Sequence, residues 1–270
     1  MRTTTKKITS VQYYNCGNCV NRLGFIYRNQ GFQKRVFPSG VFLIKHSRHG
    51  YVLFDTGYSL DIYKTGWSGW LYRLLNPTHV SREDEIVAQL KADGITPKDI
   101  RYVVLSHLHP DHIGGLKFFN QSQIIITKDS YHTYKHPHTT DLLFPALLPS
   151  WFESRALKLE DMPLKQAVYN GLNGYDLFGD GSLILTPLEG HTHGHLGAFI
   201  PGELLLAGDA CWGEDLMKPS RNMRHIINLV HHDHGAFLKT LQTLSRLKQR
   251  GIRLCFSHDQ YKQKELLRAK

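Results

Sequence analysis

A short apolar run at residues 102–105 ends in Ser106-His-Leu-His-Pro-Asp-His-Ile-Gly-Gly115, and this junction constrains the fold more than any other feature of the chain. Four imidazole and carboxylate groups, His107, His109, Asp111 and His112, fall within six residues on a loop that leaves a strand end. Pro110 stiffens that loop, and Gly114 and Gly115 let the backbone turn sharply behind it. Imidazole and carboxylate are ligands for borderline-soft divalent cations such as zinc. Alternate side chains of such a loop converge, so this segment supplies most of two adjacent metal sites.

Further donors stand where other strands should end, as a convergent site requires. Gly190-His-Thr-His-Gly-His195 follows a strand expected at 182–186. His191 is its expected ligand, and His193 and His195 read as supporting or exposed residues. Leu205-Leu-Ala-Gly-Asp209 closes a strand at 204–207, and the Asp209 carboxylate can give one oxygen to each of two cations. Ser257-His258-Asp259 follows a last strand at 253–256. Alone, His258 is an ordinary histidine; its company assigns it.

Residues 8–14, 40–45, 51–54, 123–127 and 198–201 are also short, rich in β-branched or aromatic residues, and read as strands. Residues 81–93 read as a helix with Ser81 as its N-cap and Gly94 as its stop. Residues 236–249 read as a second helix, ended by Gly251. The stretch 130–172 lacks clear periodicity and is expected to be an insertion over the site, a lid. No internal repeat marks a boundary, so one domain over residues 1–270 is expected.

Hydrophobic residues make up 41% and charged residues 21%, which excludes disorder or a fibrous repeat as the main state. No run approaches the roughly 18 apolar residues that cross a bilayer, and residues 1–8 carry charge without an apolar segment. The chain therefore reads as cytoplasmic. Its net charge of +10 invites nucleic acid, but the basic residues are scattered. Their densest groups, 239–253 and 262–270, look like solvated helix faces. Nucleic-acid binding is not expected; attraction of an anionic substrate is more so. Cys16 and Cys19 form a lone C-x-x-C with no second pair to complete a zinc site, and read as reduced thiols in or beside an N-terminal strand.

Taken together, Val52-Leu-Phe-Asp55-Thr-Gly57, the H-x-H-x-D-H loop, G-H-T-x-G-H, G-D-A and Ser257-His258-Asp259 resemble the metallo-β-lactamase superfamily over nearly the whole chain. The resemblance implies an α/β fold, a four-layer αββα sandwich of two mixed β-sheets flanked by helices. It implies that His107, His109 and His191 hold one divalent cation, Asp111, His112 and His258 a second, and that Asp209 bridges them. Zinc is the default; iron, manganese or cobalt suit the same ligands. Asp55 is expected to orient a ligand or the site loops rather than to coordinate.

Within the superfamily the chain resembles the N-acyl homoserine lactonase-like branch, through Gly94-Ile-Thr-Pro-Lys-Asp-Ile running into the histidine loop and through the final S-H-D. One departure is Trp212, which stands where many lactonases carry a tyrosine. An indole N–H donates a hydrogen bond but does not supply a proton as a phenol does. The expected function is cleavage of a small lactone or carboxylic ester by hydroxide shared between two cations, with Asp111 as the catalytic proton carrier. Trp212, the insertion and the aromatic stretch 67–72 are candidate substrate walls, although such aromatics more often belong to a core. The alternatives are a glyoxalase-II-like thioesterase, disfavoured by the short stretch after Asp209, and a phosphodiester or RNA hydrolase, favoured only by charge. A flavodiiron-type reductase would place glutamate at position 109. A non-catalytic ligand sensor of the same fold is the reading from another class. The chain is expected to be a monomer or homodimer.

Overall fold

A computed structural model describes residues 6–224 and 231–269. Residues 1–5 of the charged start, and residue 270 of the basic tail, lie outside the described residues. The strands are β1 (Ile8–Arg22), β2 (Lys34–His46), β3 (Gly50–Phe54), β4 (Thr78–His79), β5 (Ile100–Val104), β6 (Gln123–Ile126), β7 (Ala156–Lys158), β8 (Lys165–Tyr169), β9 (Leu172–Asp176), β10 (Ile184–Pro187), β11 (Leu196–Ile200), β12 (Leu204–Gly208), β13 (Arg253–Phe256) and β14 (Glu265–Arg268). One sheet runs β14-β1-β2-β3-β5-β6-β7, with β4 beside β1; the other runs β13-β12-β11-β10-β9-β8. Parallel pairs β3–β5, β5–β6, β6–β7 and β12–β13 join otherwise antiparallel neighbours, so both sheets are mixed.

Period-two alternation explains the layering. In β2 and β3, Phe42, Ile44, Val52 and Phe54 pack with Leu185, Leu196, Ala198, Leu204 and Leu206 of the second sheet, forming the core between the sheets. Their neighbours Val41, Leu43 and Leu53 face the opposite way, onto Ile86, Leu90, Ile113 and Phe152. On the second sheet, Leu205, Ala207 and Leu254 face Phe237, Leu241, Leu244 and Leu247. Both faces of each sheet are therefore apolar, and helices close the outer sides. These helices are α1 (Leu23–Ile26), α2 (Gly66–Leu75), α3 (Ile86–Ala92), α4 (Pro110–Ile113), α5 (Lys128–Lys135), α6 (Phe152–Arg155) and α7 (His234–Gln249). The result is the expected four-layer αββα sandwich.

Several local expectations need correction. The strand read at 8–14 continues to Arg22, because Asn15-Cys-Gly-Asn18 is absorbed as a shift of register against β2 rather than a turn. The helix read from Ser81 starts at Ile86: the Ser81 N–H donates to the Asp84 carboxylate (2.8 Å), which fixes a turn ahead of the helix. The basic tail is an edge strand, β14, paired with β1, not a helix face. The stretch 130–172 contains α6 and the edge strands β7 and β8, each too short to show a period. Aromatics 67–72 lie on α2 and divide between two fates. Tyr72 is buried with its hydroxyl on that of Tyr58 (2.7 Å), whereas Trp67 and Trp70 stack on each other at the surface.

Candidate metal centre

Strand ends deliver every donor. β5 leads into His107 and His109; His109 occupies the N-cap position of α4, whose first residue is Pro110, and α4 carries Asp111 and His112. His191 lies on the connection from β10 to β11. Asp209 follows β12 and His258 follows β13, and the parallel pairing of these strands, with Gly208 opposite Phe256, sets the two side by side.

The donors converge as two groups. Ligand atoms of His107, His109 and His191 lie within 4.8 Å of one another, as do those of Asp111, His112 and His258. Asp209 stands between the groups. Its Oδ1 is 3.4 Å from His112 Nε2, and its Oδ2 is 2.9 Å from His258 Nε2 and 3.5 Å from His191 Nε2. All seven are buried.

Ring tautomers decide whether such a cluster can take a cation, because a coordinating nitrogen must have a free lone pair while the other nitrogen holds the proton. His258 Nδ1 donates to the Pro38 carbonyl (2.6 Å), and His112 Nδ1 donates to the Asp55 carboxylate (2.8 Å). His107 Nδ1 faces Ser106 Oγ (2.9 Å), whose own proton goes to Asp55 (2.8 Å). In all three rings Nδ1 is thus committed outward, and Nε2 is turned into the cluster, where its lone pair serves a cation once any proton it carries is displaced. His107 Nε2, His112 Nε2 and Asp209 Oδ1 are buried without a partner among the described residues. His109 enters through Nδ1, 3.2 Å from His191 Nε2. Buried polar atoms rarely stay unpaired, and ligand atoms of these three residues lie within 4.8 Å of one another: the set fits two divalent cations.

A second cluster gives the opposite answer. His46, His49 and Asp180 also bring donor atoms within 4.8 Å. Yet His46 Nδ1 accepts the backbone N–H groups of Arg48 (3.0 Å) and His49 (3.2 Å). Its proton is therefore on Nε2 and goes to Asp180 (3.2 Å), with no lone pair left for a metal.

Electrostatics follow from burial and from these pairs. Burial lowers the pKa of His107 and His191 well below the ordinary value and that of His109 to about 3, which keeps the rings neutral. Burial opposes the charged form of His112 too, but Asp55, Asp209 and Asp111 outweigh it and raise its pKa. Burial holds the Asp111 carboxyl above its usual range, although His112 and His258 pull it down.

Other side chains surround these donors and support them. Asp55 accepts from Ser106 N (2.7 Å), Ser106 Oγ and His112 Nδ1, so it ties the His112 ring to the start of the site loop. Ser39 Oγ donates to the Asp111 carbonyl (2.6 Å). Ser106 and Ser39 were not singled out from sequence; for Ser106, its place directly before the first histidine was the available signal. His195 is buried and its Nε2 accepts the Asp209 N–H (3.0 Å), while His193 is half-exposed between Asp129 (3.3 Å) and His232 (2.7 Å). Trp212 packs edge-on to His191, with ring centroids 6.0 Å apart. Cys16 and Cys19 are free, buried thiols within β1, their pKa values pushed up by burial.

The family model described as the metallo-β-lactamase superfamily matches residues 35–252, which takes in every donor but His258. The chain belongs to the metallo-β-lactamase superfamily. Among its relatives in this superfamily, N-acyl homoserine lactonase AttM of Azorhizobium caulinodans is 33% identical over 190 residues, 66% of each chain. An N-acyl homoserine lactonase of Bacillus sp. is 28% identical over 186 residues, 67% of this chain and 64% of that one. The chain thus spans just under two thirds of the length of these curated relatives. A solved N-acyl homoserine lactone hydrolase, with the product N-hexanoyl-L-homoserine at its catalytic metal centre, superposes with a TM-score of 0.70. It covers 94% of both chains at 20% identity and so attests the superfamily fold.

Proposed function

We propose that this chain hydrolyses a lactone or other carboxylic ester. His107, His109 and His191 hold one divalent cation, Asp111, His112 and His258 the other, and Asp209 binds between them. Two cations so held lower the pKa of water toward neutrality and polarise an acyl carbonyl. The observation that carries the reading is the tautomer pattern: outward partners fix the rings of His107, His112 and His258 so that each turns Nε2 inward.

The chain's own groups supply the rest. Asp111, buried between His112 (3.7 Å) and His258 (3.6 Å), is placed to take a proton and return it to a leaving alkoxide. Trp212 offers an apolar face beside His191 and an N–H, but no transferable proton. Relatives that are lactonases favour a lactone or ester over a thioester or phosphodiester. Zinc is the proposed metal on the strength of its imidazole-rich ligand set. We take residues 1–270 as one domain in which 130–172 borders the site. No helix among the described residues is long and apolar enough to cross a membrane. Four free cysteines favour a reducing compartment, the cytoplasm.

The test is a panel of acyl lactones, aryl esters, thioesters and bis(p-nitrophenyl) phosphate given to zinc-loaded protein. Lactone or ester turnover is expected, and His109→Ala should abolish it together with bound metal. Preference for the phosphodiester would overturn the reading, and a metal-loaded protein inert on every substrate would turn it toward a ligand sensor.

A further inference from the structure

Beside the metal centre lies a cavity of about 280 Å³ to which His109 and His191 contribute. Its other walls include Thr133, Thr140, Asp141, His193, His231 and His232, with Leu108 beside them. Among the described residues no lysine or arginine lines it, despite the chain's net charge of +10. An alkyl chain placed here would strip water from hydroxyls, imidazoles and a carboxylate, with Leu108 as the one aliphatic side chain among the described residues to receive it. A carboxylate or phosphate would meet Asp141, with no lysine or arginine among the described wall residues to offset it. Neutral groups that both donate and accept hydrogen bonds match the walls.

His231 sharpens the reading. The residue is only 5% exposed, and neither ring nitrogen has a hydrogen-bond partner among the described residues. It stacks on Trp212 with centroids 5.7 Å apart and packs against Phe237 at 4.3 Å, so apolar rings hold it in place without satisfying it. It is also 5.2 Å, ring to ring, from His191. A substrate group that reaches His231 therefore lies next to the cation His191 would hold. A neutral imidazole offers one N–H and one lone pair, the complement of a hydroxyl or a carboxamide.

We propose that this cavity binds a compact, neutral acyl group bearing a hydroxyl or amide substituent, and that His231 positions it by hydrogen bonding while the scissile carbonyl meets the cations. This rests on the hydrolase reading above. Polar recognition is steep, because a site built around a substrate hydroxyl is left with unpaired groups when the hydroxyl is missing.

The probes are N-butanoyl, N-octanoyl, N-(3-hydroxybutanoyl) and N-succinyl homoserine lactone, assayed on the zinc-loaded protein. The hydroxylated substrate should exceed the butanoyl one by tenfold or more in kcat/KM, octanoyl should gain nothing over butanoyl, and succinyl should fall below both. His231→Ala should raise KM for the hydroxylated substrate at least tenfold and bring its advantage close to one, and His231→Asn should restore part of it. Thr140→Val, which removes one wall hydroxyl, gives a second reading if the histidine variant does not fold. A kcat/KM that climbs from butanoyl to octanoyl, a preference for succinyl, or a hydroxyl preference that survives both His231→Ala and Thr140→Val would overturn the proposal and leave the hydrolase standing. Failure on all four lactones and on simple esters would overturn the hydrolase reading itself.

Discussion

Asp55 is fully buried with a backbone φ of 64°, a conformation that residues with side chains seldom adopt. Its carboxylate meets three donors at once: Ser106 N, Ser106 Oγ and His112 Nδ1. Asp55→Asn would replace one acceptor oxygen with an N–H facing a donor, loosening the His112 ring. Zinc affinity at the Asp111–His112–His258 group should fall about 10–100-fold. Competition against a chromophoric chelator measures this, and unchanged affinity would remove Asp55 from its supporting role. His195 carries a prediction about pH. Burial lowers its pKa to about 4, and its Nε2 accepts the Asp209 N–H only while unprotonated. In the unfolded chain the imidazole titrates near about 6.5. Below that pH the unfolded state gains a proton that the folded state refuses. The stability His195 contributes is thus present above pH 6.5 and lost as pH falls toward 4, on the order of 3 kcal/mol across the window. Urea unfolding of metal-free protein between pH 7 and pH 4.5 should show this loss, with a shallower slope for His195→Gln.

The long helix α7 shows how an element fixes a site residue it does not contain. Asp233 caps it by accepting the Ala236 N–H (2.9 Å), and Gly190, with φ 125°, lies so close that an added Cβ would come within 2.1 Å of Phe237 N. Gly190→Ala should therefore push the first turn of α7 away from the His191 loop. A loss of at least about 2 kcal/mol in urea unfolding is expected, because both φ and space forbid the methyl; Asp233→Ala should cost about 1 kcal/mol. A Gly190→Ala variant as stable as the parent would mean the loop is free of the helix. The same region shows what a sequence discloses. The apolar period of 236–249 and the donor types at strand ends were legible, because burial and ligand chemistry each select particular residues. The extension of β1 through Gly17 was not, since a register shift and a turn use the same polar and glycine residues. Nor was the partner of His258, a backbone carbonyl at Pro38 that any residue would supply. His231 gave no signal either, because its environment is assembled from Trp212, Phe237 and His191 only in three dimensions.

At the scale of the molecule, two sheets meet face to face, and polar links join them at both ends of their apolar core. At one end the donors come from both sheets: His107, His109, Asp111 and His112 after β5 of the first, and His191, Asp209 and His258 after strands of the second. At the other end His46, closing β2, is bonded to Asp180, which lies between β9 and β10. Along β2 the interval from Pro38, which holds His258, to His46 is roughly 25 Å of extended chain. Cations held by both sheets stabilise the folded state by mass action, since the unfolded chain offers no assembled site. Stripping the metal should therefore lower Tm on the order of 10 °C, taking about 4 kcal/mol for a tightly held ion and about 2–4 °C per kcal/mol. Zinc should restore it. Asp180→Ala should lower Tm by a similar small step with or without metal, because the two links share no residue and their effects add. Thermal melts of the parent and Asp180→Ala, each with and without chelator, form the complete cycle. A Tm indifferent to proven loss of metal would show that the cluster does not join the sheets. An Asp180→Ala effect confined to the metal-loaded protein would show that the two ends are coupled through the core between them.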